Sequence, residues 1–434
     1  MRSTRVRMIL LLVVVGGAAC ASAGERLQQG SEAEARGDYA QATSRYTDAL
    51  EKDATLSEAR TALFTAWDSA VASGLREASL WEGQGDALAA AEEFRTLDGL
   101  RSKAGRVGVS LAVPADYPAR RRATFDRAIS SLLDLAGVQR AQRRWEGARS
   151  AYRRIRSDFD PSPSQRQSAI EAEADALLDW AGAEALDARF QASYRLATDA
   201  LAVSDQLPAT MVDAARDLQE QALGLGLRVL AVFPVETTYE VGADPFPELE
   251  AQLTDVLELD HWRRPPYFVA VADPAAVRRA TRRVSPPGAP LRPGRILDSV
   301  GADFGALLQI TDVRIVEEDV KSREVLGRTR DGRRATYGLE EGKVRYAVTV
   351  RGTLLDGDGR ELDTFESRAG RTGRFERGVY GGDPQNLDLS RGERRLFDAR
   401  EQQIQRGETV DLLVAELAEK LADGVFERVL RRIP

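Results

Sequence analysis

The chain has 434 residues, a formal net charge of −7 and one cysteine. That length allows about two or three domains, a lone thiol excludes an internal disulfide, and the acidic balance offers nothing to draw in nucleic acid. Beyond the N-terminus no stretch approaches the roughly 18 uninterrupted apolar residues of a membrane-spanning helix.

Residues 1–19 carry Arg2, Arg5 and Arg7, then an apolar run from Met8 to Val15, then Gly16, Gly17, Ala18 and Ala19. The run is too short to span a bilayer and reads as a secretory signal. Cys20 follows directly. The arrangement resembles a bacterial lipoprotein signal, which implies that Cys20 becomes the lipid-bearing first residue. An ordinary signal cut after Ala23 is the alternative, since Ala21-Ser22-Ala23 fits that pattern. Ala21 after the cysteine implies, by the same resemblance, sorting to the periplasmic face of the outer membrane. Several acyl chains hold a protein stably at a bilayer, whereas one is marginal. Loss of the signal removes three basic residues and leaves a net charge of about −10.

Residues 20–224 read as helical. Ala, Leu, Arg and Glu dominate, with apolar residues recurring at three and four. Gly30, Gly37, Asp38, Tyr39, Ala42, Tyr46, Ala49 and Leu50 resemble the tetratricopeptide (TPR) pattern in spacing and type. In that pattern Ala42 and Ala49 let paired helices approach, while Tyr39 and Tyr46 fill the space between pairs. Trp145, Ala148, Tyr152 and Ile155 repeat the offsets, as do Phe190, Ser193, Ala197 and Ala200, at irregular intervals. Breaks are expected at Ser73-Gly74, at Gly105–Pro118 and at Asp158–Ser164. The arginines at 120–122, 140, 143 and 144 stand among Asp126, Asp134 and Glu146, which predicts a solvated helix face.

Residues 225–434 alternate helix and strand. The apolar run Leu227–Phe233, stopped by Pro234, predicts a buried strand. Phe246–Leu259 reads as an amphipathic helix, Tyr267–Ala272 as a strand, Pro274–Arg283 and Ile296–Val300 as short helices, and Phe304–Ile315 as a third strand. Val344–Leu355 alternates strictly, Asp356–Gly359 makes a hairpin turn, and Glu361–Glu366 begins the return strand. Thr409–Leu430 closes the chain as a helix.

This order resembles the periplasmic domain of the curli-export lipoproteins (CsgG-like), shared with the penicillin-binding-protein activator LpoB. The residues that carry the likeness are Val229–Pro234, Val300-Gly301-Ala302-Asp303, and Val348–Glu361 with its Gly359-Arg360-Glu361 turn. The expected architecture is multidomain: an N-terminal all-α TPR-like solenoid followed by a CsgG-like α/β domain with a mixed sheet. Export channels of that family insert two hairpins per subunit into the membrane, which would fall here at about 316–343 and 367–406. Both segments carry charge on both faces, unlike barrel strands. A soluble hairpin and a long surface loop are therefore expected.

Catalytic chemistry is not legible. His261 is the one histidine, too few for a histidine metal cluster, and no nucleophile motif accompanies it. Gly338–Lys343 has one spacer too few for a phosphate loop. Asp356-Gly357-Asp358-Gly359 lacks the later ligands of a calcium loop. The expectation is a non-enzymatic outer-membrane lipoprotein without cofactor or metal, anchored by its lipid. It would bind other envelope proteins through concave helical repeats in a secretion or cell-wall assembly, with self-association left open. The alternative is a subunit of an oligomeric secretion channel.

Overall fold

The computed structural model describes residues 22–238, 248–286 and 288–434, the side chains of 403–405 excepted. A helical region precedes a mixed six-stranded sheet, the architecture expected of an all-α half followed by an α/β domain. Packing divides the chain into two units. One comprises residues up to Gly182 with Leu196–Arg216, the other Ala183–Arg195 with Asp217–Pro434. The second unit thus takes in residues on both sides of 224/225. The signal segment and Cys20 lie outside the described residues.

In the first unit α1 (Ala23–Ala35) pairs with α2 (Tyr39–Lys52), α3 (Ser57–Gly83) with α4 (Ala87–Arg106), and α5 (Tyr117–Ala141) with α6 (Trp145–Asp158), each helix packing on its chain neighbour. The three hairpins close alike. Asp38 N–H donates to the Ala33 carbonyl, Asp86 to Trp81 and Arg144 to Gln139. The residue before each donor has positive φ: Gly37 at 78°, Gly85 at 80° and Arg143 at 57°. This bond over a left-handed residue satisfies carbonyls that the helix end leaves bare. In the second unit, Arg189 N–H reaches Glu184 over Ala188 (φ 59°) and ends α7 (Pro163–Leu186) in the same way.

Glycine enters this region freely, whereas a Cβ is strained there. Arg143→Gly should therefore stabilise the first unit by about 0.5–1 kcal/mol, the relieved strain exceeding the added freedom of the unfolded chain. The readout is a higher midpoint of helical unfolding, and an unchanged or lower midpoint would count against the strain.

The break expected at Ser73-Gly74 does not occur, because α3 runs through it. Gly74 serves packing instead: a Cβ there would sit 3.1 Å from Leu97 on α4. The link from Val107 to Asp116 is neither helix nor strand, with Val109 and Leu111 buried and Trp67 Nε1–H donating to the Ala112 carbonyl at 2.6 Å.

The sheet of the second unit runs β3 (Val269–Val271), β1 (Arg228–Val232), β4 (Phe304–Arg328), β5 (Arg334–Asp356), β6 (Glu361–Val379), with β2 (Glu236–Thr237) also beside β4. β1 lies parallel between β3 and β4, and β4, β5 and β6 are antiparallel. α10 (Leu249–Val256) continues as a π-helical turn, Leu257–His261, before β3. α11 (Pro274–Val284) and α12 (Pro293–Val300) follow β3. One face of the sheet buries Leu230, Leu308, Ile310, Val348 and Val350 in a core shared with Leu413, Leu417 and Leu421 of α14 (Ala399–Leu430). The other buries Ala231, Phe233 and Leu355 against Val277, Ile296 and Leu297.

The short motifs of this half are structural. Gly301, at φ 65°, ends α12. Asp303 then fixes the start of β1 twice: its N–H donates to Val229 O (2.8 Å), and its carboxylate accepts from Val229 N–H (2.7 Å). Asp356 closes its hairpin through Arg360 N–H, 2.8 Å from its carboxylate. Gly359, at φ 80°, lies against Gly294, where a Cβ would approach to 2.4 Å. Both demands require glycine, so these residues form a turn.

The first polar insert is a hairpin, as expected, and the second differs from expectation. β4 and β5 run on past Ile315 and before Val344, so 316–343 is the far half of one long hairpin. The second insert is not a loop. Residues 367–379 continue β6 along β5, Arg391–Leu396 forms α13, and Ala399 already opens α14. The glycines of this insert admit close neighbours: a Cβ at Gly373 would sit 2.7 Å from Thr409, and one at Gly378 would sit 2.4 Å from Phe397. The chain between β6 and α14 folds over the arm, packing Leu387 and Leu389 with Tyr337.

Candidate functional site

The residues singled out in the first hairpin come together. Gly30 on α1 faces Tyr46 on α2 so closely that a Cβ at Gly30 would lie 2.3 Å from the ring. Tyr46 is buried, and its hydroxyl donates to Glu34 at 2.7 Å. Burial, with Glu34 beside it, pushes the phenol well above its ordinary range. Ala42 and Ala49 are wholly buried, Tyr39 is half-buried, and Gly37 makes the turn. Their common role is helix packing.

The later copies are buried too: Ala148, Tyr152 and Ile155 on α6, and Ser193, Ala197 and Ala200 on α8 (Phe190–Leu201). A further copy escaped notice. Gly85, Asp86, Ala90, Phe94 and Leu97 repeat the offsets of Gly37, Asp38, Ala42, Tyr46 and Ala49, and Ala90, Phe94 and Leu97 are buried. The Gly-Asp pair at the turn was the legible signal.

The solvated arginine face holds for Arg122, Arg143 and Arg144, which are exposed, but not for Arg120, Arg121 and Arg140. From Tyr117 to Asp158 there are eleven arginines and four carboxylates, and several of the arginines reach neighbouring helices. Arg121 pairs with Asp98 at 2.5 Å, and Arg140 with Asp175 (2.6 Å) and Asp179 (2.5 Å). The centre of this pattern is Glu173 on α7, 1% exposed, which takes Arg149 at 3.4 Å, Arg153 at 3.2 Å and Arg156. Arg149 also reaches Asp199 at 3.1 Å. One buried carboxylate among three guanidiniums ties α6 to α7.

In the second unit the π-helical turn is bordered by two clefts. The larger, about 830 Å³, opens beside edge strand β3 and is lined by Asp255, Leu259, Trp262, Val271 and the Glu258–Arg278 ion pair. The other, about 570 Å³, lies against α14 with Ala422, Phe426 and Leu430 as its apolar lining. Asp260, His261, Arg264, Asp423 and Glu427 complete its wall. Trp262 packs edge-on to Phe426, ring centroids 5.3 Å apart, so the turn is fixed on α14. Among the described residues no group of three or more His, Cys, Asp or Glu is disposed to hold a metal ion, and no helix is long and apolar enough to cross a membrane. Apolar floors with charged rims suit binding of a macromolecule or peptide.

No protein-family model matches the chain, and no curated protein matches it. Among solved structures, it is similar to a hypothetical protein from Chlamydia trachomatis at 15% identity and a TM-score of 0.25, over 45% of this chain and 96% of that one. At that score the likeness carries no argument.

Proposed function

We propose that the chain is a lipid-anchored, non-enzymatic scaffold of the bacterial envelope. In this reading Cys20 holds the chain at the periplasmic face of the outer membrane, TPR-like hairpins hold a partner protein, and a CsgG-like domain docks within a secretion or cell-wall assembly. The observation that supports it most is the recurrence of one hairpin design, closed by the same turn and seamed by buried Ala42, Ala90 and Ala148, ahead of a mixed sheet. Stacked hairpins present an extended surface and no reaction chemistry. The test is labelling with a fatty-acid analogue in a Gram-negative host. Wild type should take up label and fractionate with outer membranes, and Cys20→Ser should lose both. Label retained by Cys20→Ser would sink the anchor.

A second reading, a secretion-channel subunit, draws support from the lengths of β4 and β5, 25 and 23 residues. Against it stand the charges on both faces of their far halves, each costing a few kcal/mol near a bilayer midplane. Negative-stain images of detergent-extracted protein decide: uniform rings with a central opening would favour the channel over the scaffold.

A further inference from the structure

We propose that the chain associates head to tail, the tip of the β4–β5 hairpin of one copy seating in the cleft beside α14 of another. The inference does not depend on the lipid anchor.

The tip is over-charged. Residues 323–334 hold five arginines against Glu324 and Asp331, within a chain of net charge −7. Asp331 engages Arg333 at 3.2 Å. Among the described residues, Arg323, Arg328, Arg330 and Arg334 have no carboxylate at ion-pair distance. Arg328 and Arg334 are direct partners across the strand ladder, and like charges so placed destabilise a hairpin. Leu326, two residues before Arg328 on β4, is 84% exposed. The tip therefore carries net positive charge, with Glu393 acting at longer range on Arg323 alone, beside a bare apolar side chain, and an anionic surface with an apolar recess satisfies both.

The cleft beside α14 is such a surface. Its floor is Phe426, Leu430 and Ala422, and its rim carries Asp260, Asp423 and Glu427, with Arg264 and His261 also on the wall. Asp260 and Asp423 have no ion-pair partner among the described residues. Asp423 stands one helical turn from both Glu419 and Glu427, a spacing at which like charges repel. Only Glu427 is answered, by Arg431. Each surface thus carries unbalanced charge of the sign the other lacks.

Geometry makes the contact intermolecular. α14 begins beside the arm, where Gln402 and Arg406 share a cleft with Phe375 and Arg377. It reaches Trp262 only at Phe426, about 35 Å further along at 1.5 Å per residue. The tip lies at the arm end and the recess at the other, so a copy cannot fill its own cleft. A contact between unlike patches is heterologous and propagates beyond a pair.

The test is sedimentation velocity of the full-length chain in mild detergent. Wild type should self-associate, at least tenfold more weakly at 500 mM than at 50 mM salt, since exposed charge is screened. Arg330→Glu with Arg334→Glu should weaken association at least tenfold, as should Asp423→Arg with Glu427→Arg. Mixing the two reversed proteins should restore association between them, a result that misfolding of either cannot produce. A monomeric wild type, variants that associate like wild type, or a mixture that stays dissociated overturns the proposal. If wild type is monomeric and the Cys20→Ser form binds phosphatidylglycerol vesicles through the tip arginines, the tip serves a lipid surface and the copy-to-copy contact is overturned.

Discussion

Gly30→Val is expected to destabilise the first helical hairpin by about 3 kcal/mol. Valine would place its Cβ 2.3 Å from the Tyr46 ring, well inside contact distance. The ring has nowhere to retreat, because Tyr46 is 2% exposed and its hydroxyl is held by Glu34. Either α1 moves off α2 or the ring leaves its rotamer and gives up that hydrogen bond. Hydrogen exchange of the α1 and α2 amides reads the effect directly, without assuming that a two-unit chain unfolds in one step. Protection should fall by two orders of magnitude or more across Ala23–Lys52. The companion is Tyr46→Ala, which opens a cavity by itself but makes room for valine. The double variant should be less damaged than the two single losses summed. Unchanged protection in Gly30→Val would show that the hairpin does not rest on this contact.

That contact was legible because it is local and repetitive. Gly30 and Tyr46 lie sixteen positions apart in one hairpin, and the pattern that places them is a short motif whose offsets recur in the sequence. The buried strand at Leu227–Phe233 was legible for a similar reason: an uninterrupted apolar run stopped by proline, realised as Arg228–Val232. What stayed hidden depends on partners remote in sequence. Gly352 in β5 and Gly424 in α14 look like weak points in otherwise regular elements. Both make room for Phe365, whose ring would lie 2.3 Å and 2.6 Å from a Cβ at those positions, and no local pattern predicts a ring wedged between strand and helix. The strand ends were misjudged likewise. Far along β6, charge on both faces hid the strand, but ladder pairing with β5 and the covering residues Thr409 and Phe397 hold Gly370, Gly373 and Gly378 extended. Arg121 and Arg140 on α5 read as solvent-facing because periodicity locates an apolar stripe without saying which polar neighbours border it.

Glu173 is the sharpest case of such a remote partner, and Glu173→Ala is expected to destabilise the helical unit by about 3–5 kcal/mol. The carboxylate is 1% exposed and accepts from three arginines of α6, two of them with side chains only 24% and 25% exposed. Alanine would leave Arg156 and Arg153 without their counter-charge, with Arg149 keeping only Asp199, and Arg156 Nε already has no hydrogen-bond partner. Glu173→Gln keeps the shape and one acceptor oxygen but removes the charge, so its loss should be smaller. The control is Asp126→Ala, which deletes an exposed pair with Arg122 on one helix, of a kind worth less than about 1 kcal/mol, and one hydrogen bond from Gln165 on α7, worth about 1 kcal/mol. Urea unfolding followed by far-ultraviolet circular dichroism ranks the three variants, urea being preferred because guanidinium salts would screen the pairs under test. The expected order is Glu173→Ala far below wild type, Glu173→Gln between, and Asp126→Ala close to wild type. A Glu173→Ala midpoint indistinguishable from that of Asp126→Ala would mean that the arginines find solvent or other carboxylates at little cost. The join between α6 and α7 would then rest on apolar packing alone.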